Sequence, residues 1–127
     1  MYRLNEEQTA VIEEVRRVAD ESIAPHAADV DAQGHFPREA VDALAEAGLF
    51  GLTIPVEHGG MGQGIRVACA ALDEIAQRCA STAMIYLMHL CGCSCYLARP
   101  QAVEDTLRQV ARDPKQNLGR AAQDTRR

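Results

Sequence analysis

Aromatic and β-forming residues are scarce in this sequence of 127 residues. It contains no tryptophan, two phenylalanines and three tyrosines, and alternation of β-branched with polar residues is almost absent. Such alternation is typical of half-buried strands, whereas the frequent Ala and Leu favour helices. The composition therefore predicts an all-α fold. The length suits one domain, with no internal repeat and no second core.

Three further features of the sequence narrow the possible classes of protein. The N-terminal segment, residues 1–7, is charged and has no apolar run, so we expect no secretory signal and a cytoplasmic protein. The five cysteines have neither the spread nor the even number of a disulfide framework, which indicates reduced thiols. Acidic residues outnumber basic ones, 18 to 13, for a formal charge of −5, and this argues against nucleic acid as a partner.

The longest stretch without a formal charge covers residues 79–98 and ends at Arg99-Pro100. Its length predicts a helix. A membrane span is an alternative, but Ser, Thr, His and Gly dilute the hydrophobicity and neither flank carries a basic cluster or an aromatic belt. We expect instead a central helix over 81–98, buried on most sides, within a bundle of about five helices.

The remaining pattern predicts one helical domain over 1–112 and a disordered polar tail over 113–127. Its elements are a helix of about five turns from Asn5, a short helical turn and loop over 25–35, a helix from Pro37 to Gly48, an extended buried segment over 49–55, a helix over 65–79, and a helix between Pro100 and Asp113. The third of these helices should bury one stripe of side chains, formed by Ile65, Ala68, Cys69, Leu72, Ile75 and Ala76.

The glycine-rich stretch 58–64 is the first candidate for chemistry, because glycines allow backbone N–H groups to converge on a phosphate. No Lys-Ser/Thr follows it, and its spacing is not GxGxxG. His58-Gly59-Gly60 also resembles an esterase oxyanion loop, but the chain has no GxSxG motif. A structural turn is the favoured interpretation.

A second candidate is the group of His89, Cys91, Cys93 and Cys95. On one helix, Cys91 and Cys95 share a face while Cys93 points elsewhere, and no second pair completes a tetrahedral site. We therefore predict no metal site and interpret the cysteines as small core residues. His89 is expected to be a hydrogen-bonded interior or pocket histidine, since no carboxylate lies within one turn of it.

The segment from Glu46 to Gly62 resembles the N-terminal helical domain of the acyl-CoA dehydrogenase family. Its order is a helix, Gly-Leu-x-Gly-Leu-x-x-Pro, an acidic residue, Gly-Gly-x-Gly and a second helix. The flanking sequences Phe36-Pro37, Leu72 to Ala76 and Cys79-Ala80-Ser81 agree, and the resemblance covers roughly residues 4–112.

The resemblance implies FAD-dependent α,β-dehydrogenation of an acyl-CoA thioester, although some relatives act as monooxygenases or oxidases. In that family FAD lies on a middle β domain, and the catalytic Glu comes from a C-terminal helical bundle. This chain would correspond to the N-terminal domain alone, as a fragment or truncated form. We expect it to contain no catalytic or cofactor-binding residue, to bind no FAD by itself and to be inactive alone.

The N-terminal domain of the family contributes a wall of the acyl cavity. By position, the resemblance assigns that wall to four residues of the central helix, Ala83, Met84, Leu87 and Met88. Met84 and Met88 are otherwise most simply core residues. A bulky Leu87 would shorten the pocket if it points inward.

Two other functions remain open. The first is a non-catalytic helical module that uses its exposed apolar faces to bind the missing domains, a partner or a second copy of itself. The second is a small acyl carrier with a cavity beside Met84.

Overall fold

The computed structural model describes residues 2–112, which contain six α-helices and no strand. The helices are α1 (Glu6–Val18), α2 (Ala24–Gln33), α3 (Arg38–Glu46), α4 (Ile65–Ala76), α5 (Ala80–Leu97) and α6 (Glu104–Arg112). A π-helical turn, Ala19–Ile23, joins α1 to α2 with right-handed helical backbone at both junctions, so the two form one continuous helix. The prediction of an all-α bundle of about five helices is confirmed. The predicted tail over 113–127 lies outside the described residues.

The start of α1 follows directly from local sequence. The Asn5 side chain accepts a hydrogen bond from the Gln8 backbone N–H at 2.8 Å, and the Gln8 side chain accepts one from the Asn5 N–H at 3.1 Å. This reciprocal capping box satisfies two of the donors that a helix N-terminus leaves unpaired.

Pro25 shapes the junction between α1 and α2. A proline has no N–H and its ring clashes with the carbonyl four residues earlier. The preceding turn accommodates it by widening, and the Ala24 N–H donates to the carbonyl of Ala19. The prediction of a short turn and loop over 25–35 is wrong, because α2 continues for ten residues and ends at Gly34, which has φ 61°.

The main core lies where α4 packs between α1 and α5, with α3 and the π-turn closing one side. Its most completely buried members include Val15, Leu44, Leu49, Ile75 and Tyr86. A second, smaller cluster lies apart from it, which corrects the expectation of a single core. This small cluster consists of Ile54, Cys93, Leu107 and Val110.

Two charged side chains of α1 and the π-turn hold α4 in place. Glu74 accepts from Arg16 at 2.7 Å and from Arg78 at 2.9 Å, and Arg78 in turn donates to Asp20 at 2.9 Å. Hydrogen bonding and charge attraction from Arg16, and then from Arg78, lower the pKa of Glu74 despite an opposing effect of burial. This network fixes the lateral position of α4 on α1.

The inward face of α4 is rotated from the predicted one. Ala68 and Ile75 of the predicted stripe are buried and Leu72 is half-buried. Ile65, however, is 78% exposed and Cys69 and Ala76 face solvent, while Val67 and Ala71 are fully buried. Apolar residues surround the first two turns of α4, so periodicity alone leaves its rotation undetermined. Packing between two neighbouring helices selects the face that includes Val67 and Ala71.

Residues 49–55 are buried as predicted, but they are not extended. Gly48, at φ 75°, ends α3 and reverses the chain into a 3-10 turn, Leu49–Gly51. The side chains of Leu49, Phe50 and Leu52 then enter the core. A tight turn satisfies the backbone groups locally, which a lone extended strand in a helical bundle does not.

The central helix α5 begins at Ala80, one residue before the predicted start, and is buried on one face only. That face carries Tyr86 and His89, whereas Met84 is 58% exposed and Met88 63% exposed. The expectation of burial on most sides, with both methionines in the core, is therefore wrong. Within residues 2–112, α5 is the one helix long and apolar enough to cross a membrane by length and composition. Its buried polar side chains suit a helix of the bundle.

Candidate functional site

A shallow groove of about 430 Å³ runs between the exposed sides of α4 and α5. Ala76, Ala80 and Ala83 are small side chains of its lining, next to the larger Leu72, Met84 and Leu87. The residues that line it are Tyr2, Cys69, Leu72, Asp73, Ala76, Ala80, Ala83, Met84 and Leu87.

The structure brings together three of the four residues that the resemblance assigns to an acyl cavity. Ala83, Met84 and Leu87 lie side by side along the α5 wall of the groove. Met88 is on the next turn, is 63% exposed and does not line the groove.

The opposite wall was missed by reasoning from sequence. It is formed by α4 through Cys69, Leu72 and Ala76, with Tyr2 at one end. Cys69, Leu72 and Ala76 follow the spacing of a helical stripe, but that stripe was assigned to the core. Only the rotation of α4 reveals that these residues face the groove.

The groove favours an apolar ligand. Among residues 2–112, its lining contains no basic side chain, and Asp73 provides the one carboxylate. An anion such as a phosphate would meet repulsion there, whereas a hydrocarbon chain would replace water next to alanine, leucine and methionine side chains.

On the buried face of α5, two side chains hold the turn Leu49–Gly51. The Tyr86 hydroxyl donates to the carbonyl of Leu49 at 2.6 Å, and His89 Nε2 donates to the carbonyl of Phe50 at 2.7 Å. Burial raises the pKa of Tyr86 far above its usual range. The prediction of a hydrogen-bonded interior histidine is confirmed, and both residues serve to position the turn.

The glycine-rich stretch is a closed structural turn. The backbone N–H groups of residues 60–63 donate to carbonyl oxygens of Pro55, Gly51, Ile54 and Leu52 at 2.8 to 3.1 Å. A Cβ on Gly60 would lie 2.6 Å from Ile54 Cβ and 2.7 Å from the Gly51 carbonyl oxygen. With its donors already used, the turn does not provide a phosphate cradle.

The cysteines of α5 diverge as expected. Cys93 is buried in the small cluster, and burial raises the pKa of its thiol to about 12. Cys91 and Cys95 are exposed, so their assignment to the core is wrong. In the part of the chain that the structure describes, no three His, Cys, Asp or Glu side chains are grouped to hold a metal.

Comparison with known proteins agrees with the resemblance seen in the sequence. The family model for the acyl-CoA dehydrogenase N-terminal domain matches residues 5–113. Cyclohex-1-ene-1-carbonyl-CoA dehydrogenase of Syntrophus aciditrophicus (strain SB) is 41% identical over 92 residues, 72% of this chain and 22% of that protein. A probable acyl-CoA dehydrogenase of Mycobacterium leprae (strain TN) is 37% identical over 92 residues, 72% of this chain and 24% of that protein.

A mitochondrial isovaleryl-CoA dehydrogenase of Oryza sativa subsp. japonica is 40% identical over 89 residues. That match covers 68% of this chain and 22% of the rice protein. The chain thus spans less than a quarter of the length of the curated relatives it matches.

Proposed function

Since this chain belongs to the acyl-CoA dehydrogenase family, whose N-terminal domain it matches, we propose that it supplies one wall of an acyl-binding cavity. The complete protein would be an FAD-dependent oxidoreductase that forms a double bond between the α and β carbons of an acyl-CoA thioester. The relatives that the chain resembles carry names of dehydrogenases of acyl-CoA thioesters, and this supports the proposed reaction class.

The observation that carries the proposal is the apolar groove between α4 and α5. Ala83, Met84 and Leu87 form its α5 wall, and the absence of basic side chains among the described residues of its lining suits the hydrocarbon part of a thioester. The CoA nucleotide, with its phosphates, would have to lie outside the groove. Leu87 is 38% exposed and stands at the rim, where it would limit the length of the acyl chain.

Neither the glycine turn nor the described lining of the groove fits the pyrophosphate of FAD. Binding a pyrophosphate requires free N–H donors or basic side chains, but the glycine turn uses its donors internally and the described residues of the groove lining include no basic group. The flavin of the proposed oxidoreductase would be held by parts of the polypeptide beyond residues 2–112 or by a separate subunit. No step of the reaction is assigned to residues of this chain.

A second function has a specific observation in its favour. Met84 and Met88 are 58% and 63% exposed, next to Leu87, and a contiguous apolar surface of this kind often marks a protein interface. On this alternative the chain is a non-catalytic helical module that binds a partner through the exposed face of α5.

Calorimetric titration of the reduced chain with octanoyl-CoA and with free CoA distinguishes these functions. We expect the thioester to bind more tightly, and Leu87→Glu to weaken its binding by about tenfold or more, because a charge would enter an apolar wall. Ile65→Glu is the matched control, since Ile65 is exposed but lies outside the groove. Equal binding of both ligands, or equal effects of both variants, would contradict the acyl-wall proposal.

Two further measurements test FAD binding by the chain and the alternative function as an interaction module. After incubation with FAD and desalting, we expect the chain to show no visible flavin absorption; a retained band that bleaches with an acyl-CoA would overturn the cofactor assignment. Sedimentation over a range of concentrations tests the interaction module. Dimerisation that Leu87→Glu abolishes, together with no preference for the thioester, would favour the module.

A further inference from the structure

Four sulfur-containing side chains follow one another along the exposed face of α5. Met84, Met88, Cys91 and Cys95 are separated by four, three and four residues, the spacing that keeps side chains on one face of a helix. Both methionines are more than half exposed, and both cysteines are exposed and free of disulfides. We call these four residues the sulfur stripe.

We propose that the C-terminal part of the sulfur stripe, Met88, Cys91 and Cys95, binds one Cu(I) ion. Side chains four residues apart on a helix have Cβ atoms about 5–6 Å from each other. A bond between a metal and a thiolate is about 2.3 Å long, as for zinc, so two such bonds end to end span about 4.6 Å. Cys91 and Cys95 can therefore reach one ion, with the Met88 thioether approaching from the preceding turn.

The donor set selects the metal. Residues 79–98 carry no carboxylate, so calcium, magnesium and manganese lack their preferred oxygen ligands. Structural zinc requires four N or S donors, and the described residues contain no cluster of three His, Cys, Asp or Glu groups. Two thiolates and a thioether are soft ligands of the kind that select Cu(I).

Binding requires no change in oxidation state. Each thiol releases its proton to solvent as its sulfur forms a bond to copper, and the ion enters and remains as Cu(I). Two protons are released when both thiols start protonated, so affinity falls as the pH is lowered. The site is separate from the acyl groove, because Met88, Cys91 and Cys95 do not line it.

The test is an anaerobic titration of the reduced chain with Cu(I), using a chromogenic Cu(I) chelator as competitor. We expect one copper per chain and a near-ultraviolet thiolate-to-copper charge-transfer band. Removing a ligand should cost at least as much as the roughly 10–100-fold loss seen when a residue that supports a ligand is mutated. Cys91→Ser and Cys95→Ser should therefore each lower the affinity by at least about a hundredfold, and Met88→Leu by about tenfold. Cys69→Ser is the matched control. Cys69 is an exposed cysteine on α4, and its removal should leave copper binding unchanged. Far-ultraviolet circular dichroism verifies that each variant is folded.

Native mass spectrometry and a parallel zinc titration complete the test. A monomer with one copper supports the site. One copper shared by two chains, copper retained by Cys91→Ser and Cys95→Ser, or zinc bound as tightly as Cu(I) would each overturn the proposal. None of these outcomes depends on acyl-CoA binding, so the acyl-wall proposal stands or fails separately.

Discussion

His89 and Phe50 are joined twice. His89 Nε2 donates to the Phe50 carbonyl at 2.7 Å, and the two rings stack with their centroids 4.4 Å apart. The Tyr86 hydroxyl donates to the adjacent carbonyl of Leu49. Through these contacts α5 fixes the turn that follows α3, and the family motif Gly-Leu-x-Gly-Leu owes its buried position to two polar side chains of another helix.

Tyr86→Phe tests this attachment. The substitution keeps the ring but leaves the Leu49 carbonyl buried without its donor, so we expect a loss of about 1–3 kcal/mol in the free energy of unfolding. Chemical denaturation monitored by circular dichroism measures it. Tyr96→Phe, at a tyrosine that is 36% exposed, should change stability by less than about 0.5 kcal/mol. Equal effects of the two variants would show that the buried hydrogen bond is unimportant.

Gly60→Ala should be among the most damaging small substitutions. Its methyl group would overlap the backbone and Cβ of Ile54, and overpacking of this kind costs about 1–3 kcal/mol. Gly64→Ala is the control, because no atom lies within 4 Å of a Cβ built there; it should lose no more than about 1 kcal/mol, as expected for replacing a glycine N-cap. Thermal unfolding compares the two, and a Gly60→Ala melting temperature equal to that of the control would contradict the close approach.

The ion pairs of Glu74 give stability a defined pH dependence. Because Arg16 and Arg78 lower the pKa of Glu74 in the folded chain, its stabilising effect is complete above the unfolded pKa of about 4.3. That effect is lost as the pH falls through the lower, folded value. Glu74→Gln should cost about 1 kcal/mol at pH 7 and reduce the loss of stability in acid.

Glu21→Gln is a matched control for Glu74→Gln. Glu21 pairs with Arg17 at the surface, where both side chains are more than half exposed, and such pairs contribute about 0.3–0.5 kcal/mol. Melting temperatures from pH 3 to pH 7 measure both variants. If the melting temperature of Glu74→Gln falls in acid as much as that of the unchanged chain, other groups control the pH dependence of stability.

The five thiols should separate into two reactivity classes. Cys69, Cys91 and Cys95 are exposed, while Cys79 and Cys93 are buried, and burial raises the pKa of Cys93 to about 12. Since the thiolate is the reactive form, we expect three fast equivalents with a maleimide at neutral pH and two more only after unfolding. Peptide mapping identifies them; fast modification of Cys93 would contradict its burial.

Local chemistry explains what could be predicted from sequence. The start of the first helix at Asn5, the end of α3 at Gly48 and the glycine turn each depend on residues close in the chain, and all three were confirmed. The rotation of α4 and the helix after Pro25 were not predicted. Apolar residues surround α4 for two turns, and a π-turn can absorb a proline that would otherwise end a helix.

Only one of the two walls of the groove was predicted from sequence. Its α5 wall was predicted from the resemblance, whereas Cys69 and Leu72 face the groove because of how α4 packs between α1 and α5. Met88 is the opposite case, because the resemblance assigned it to the cavity wall. It lies one turn beyond Met84 on α5 and does not line the groove.

The small cluster that holds α6 has a consequence for motion. Leu107 and Val110 pack on Ile54 and Cys93, separately from the main core, and nearby His58 Nδ1 lies 3.8 Å from the Glu104 carboxylate. With so few buried contacts, α6 can open as a unit while α1, α4 and α5 stay packed. In native-state hydrogen exchange, its amides should lose protection at low denaturant, well before those of α5 exchange by global unfolding. The bundle then behaves as two cooperative units joined at residues 49–54, a segment that includes the turn held by Tyr86 and His89.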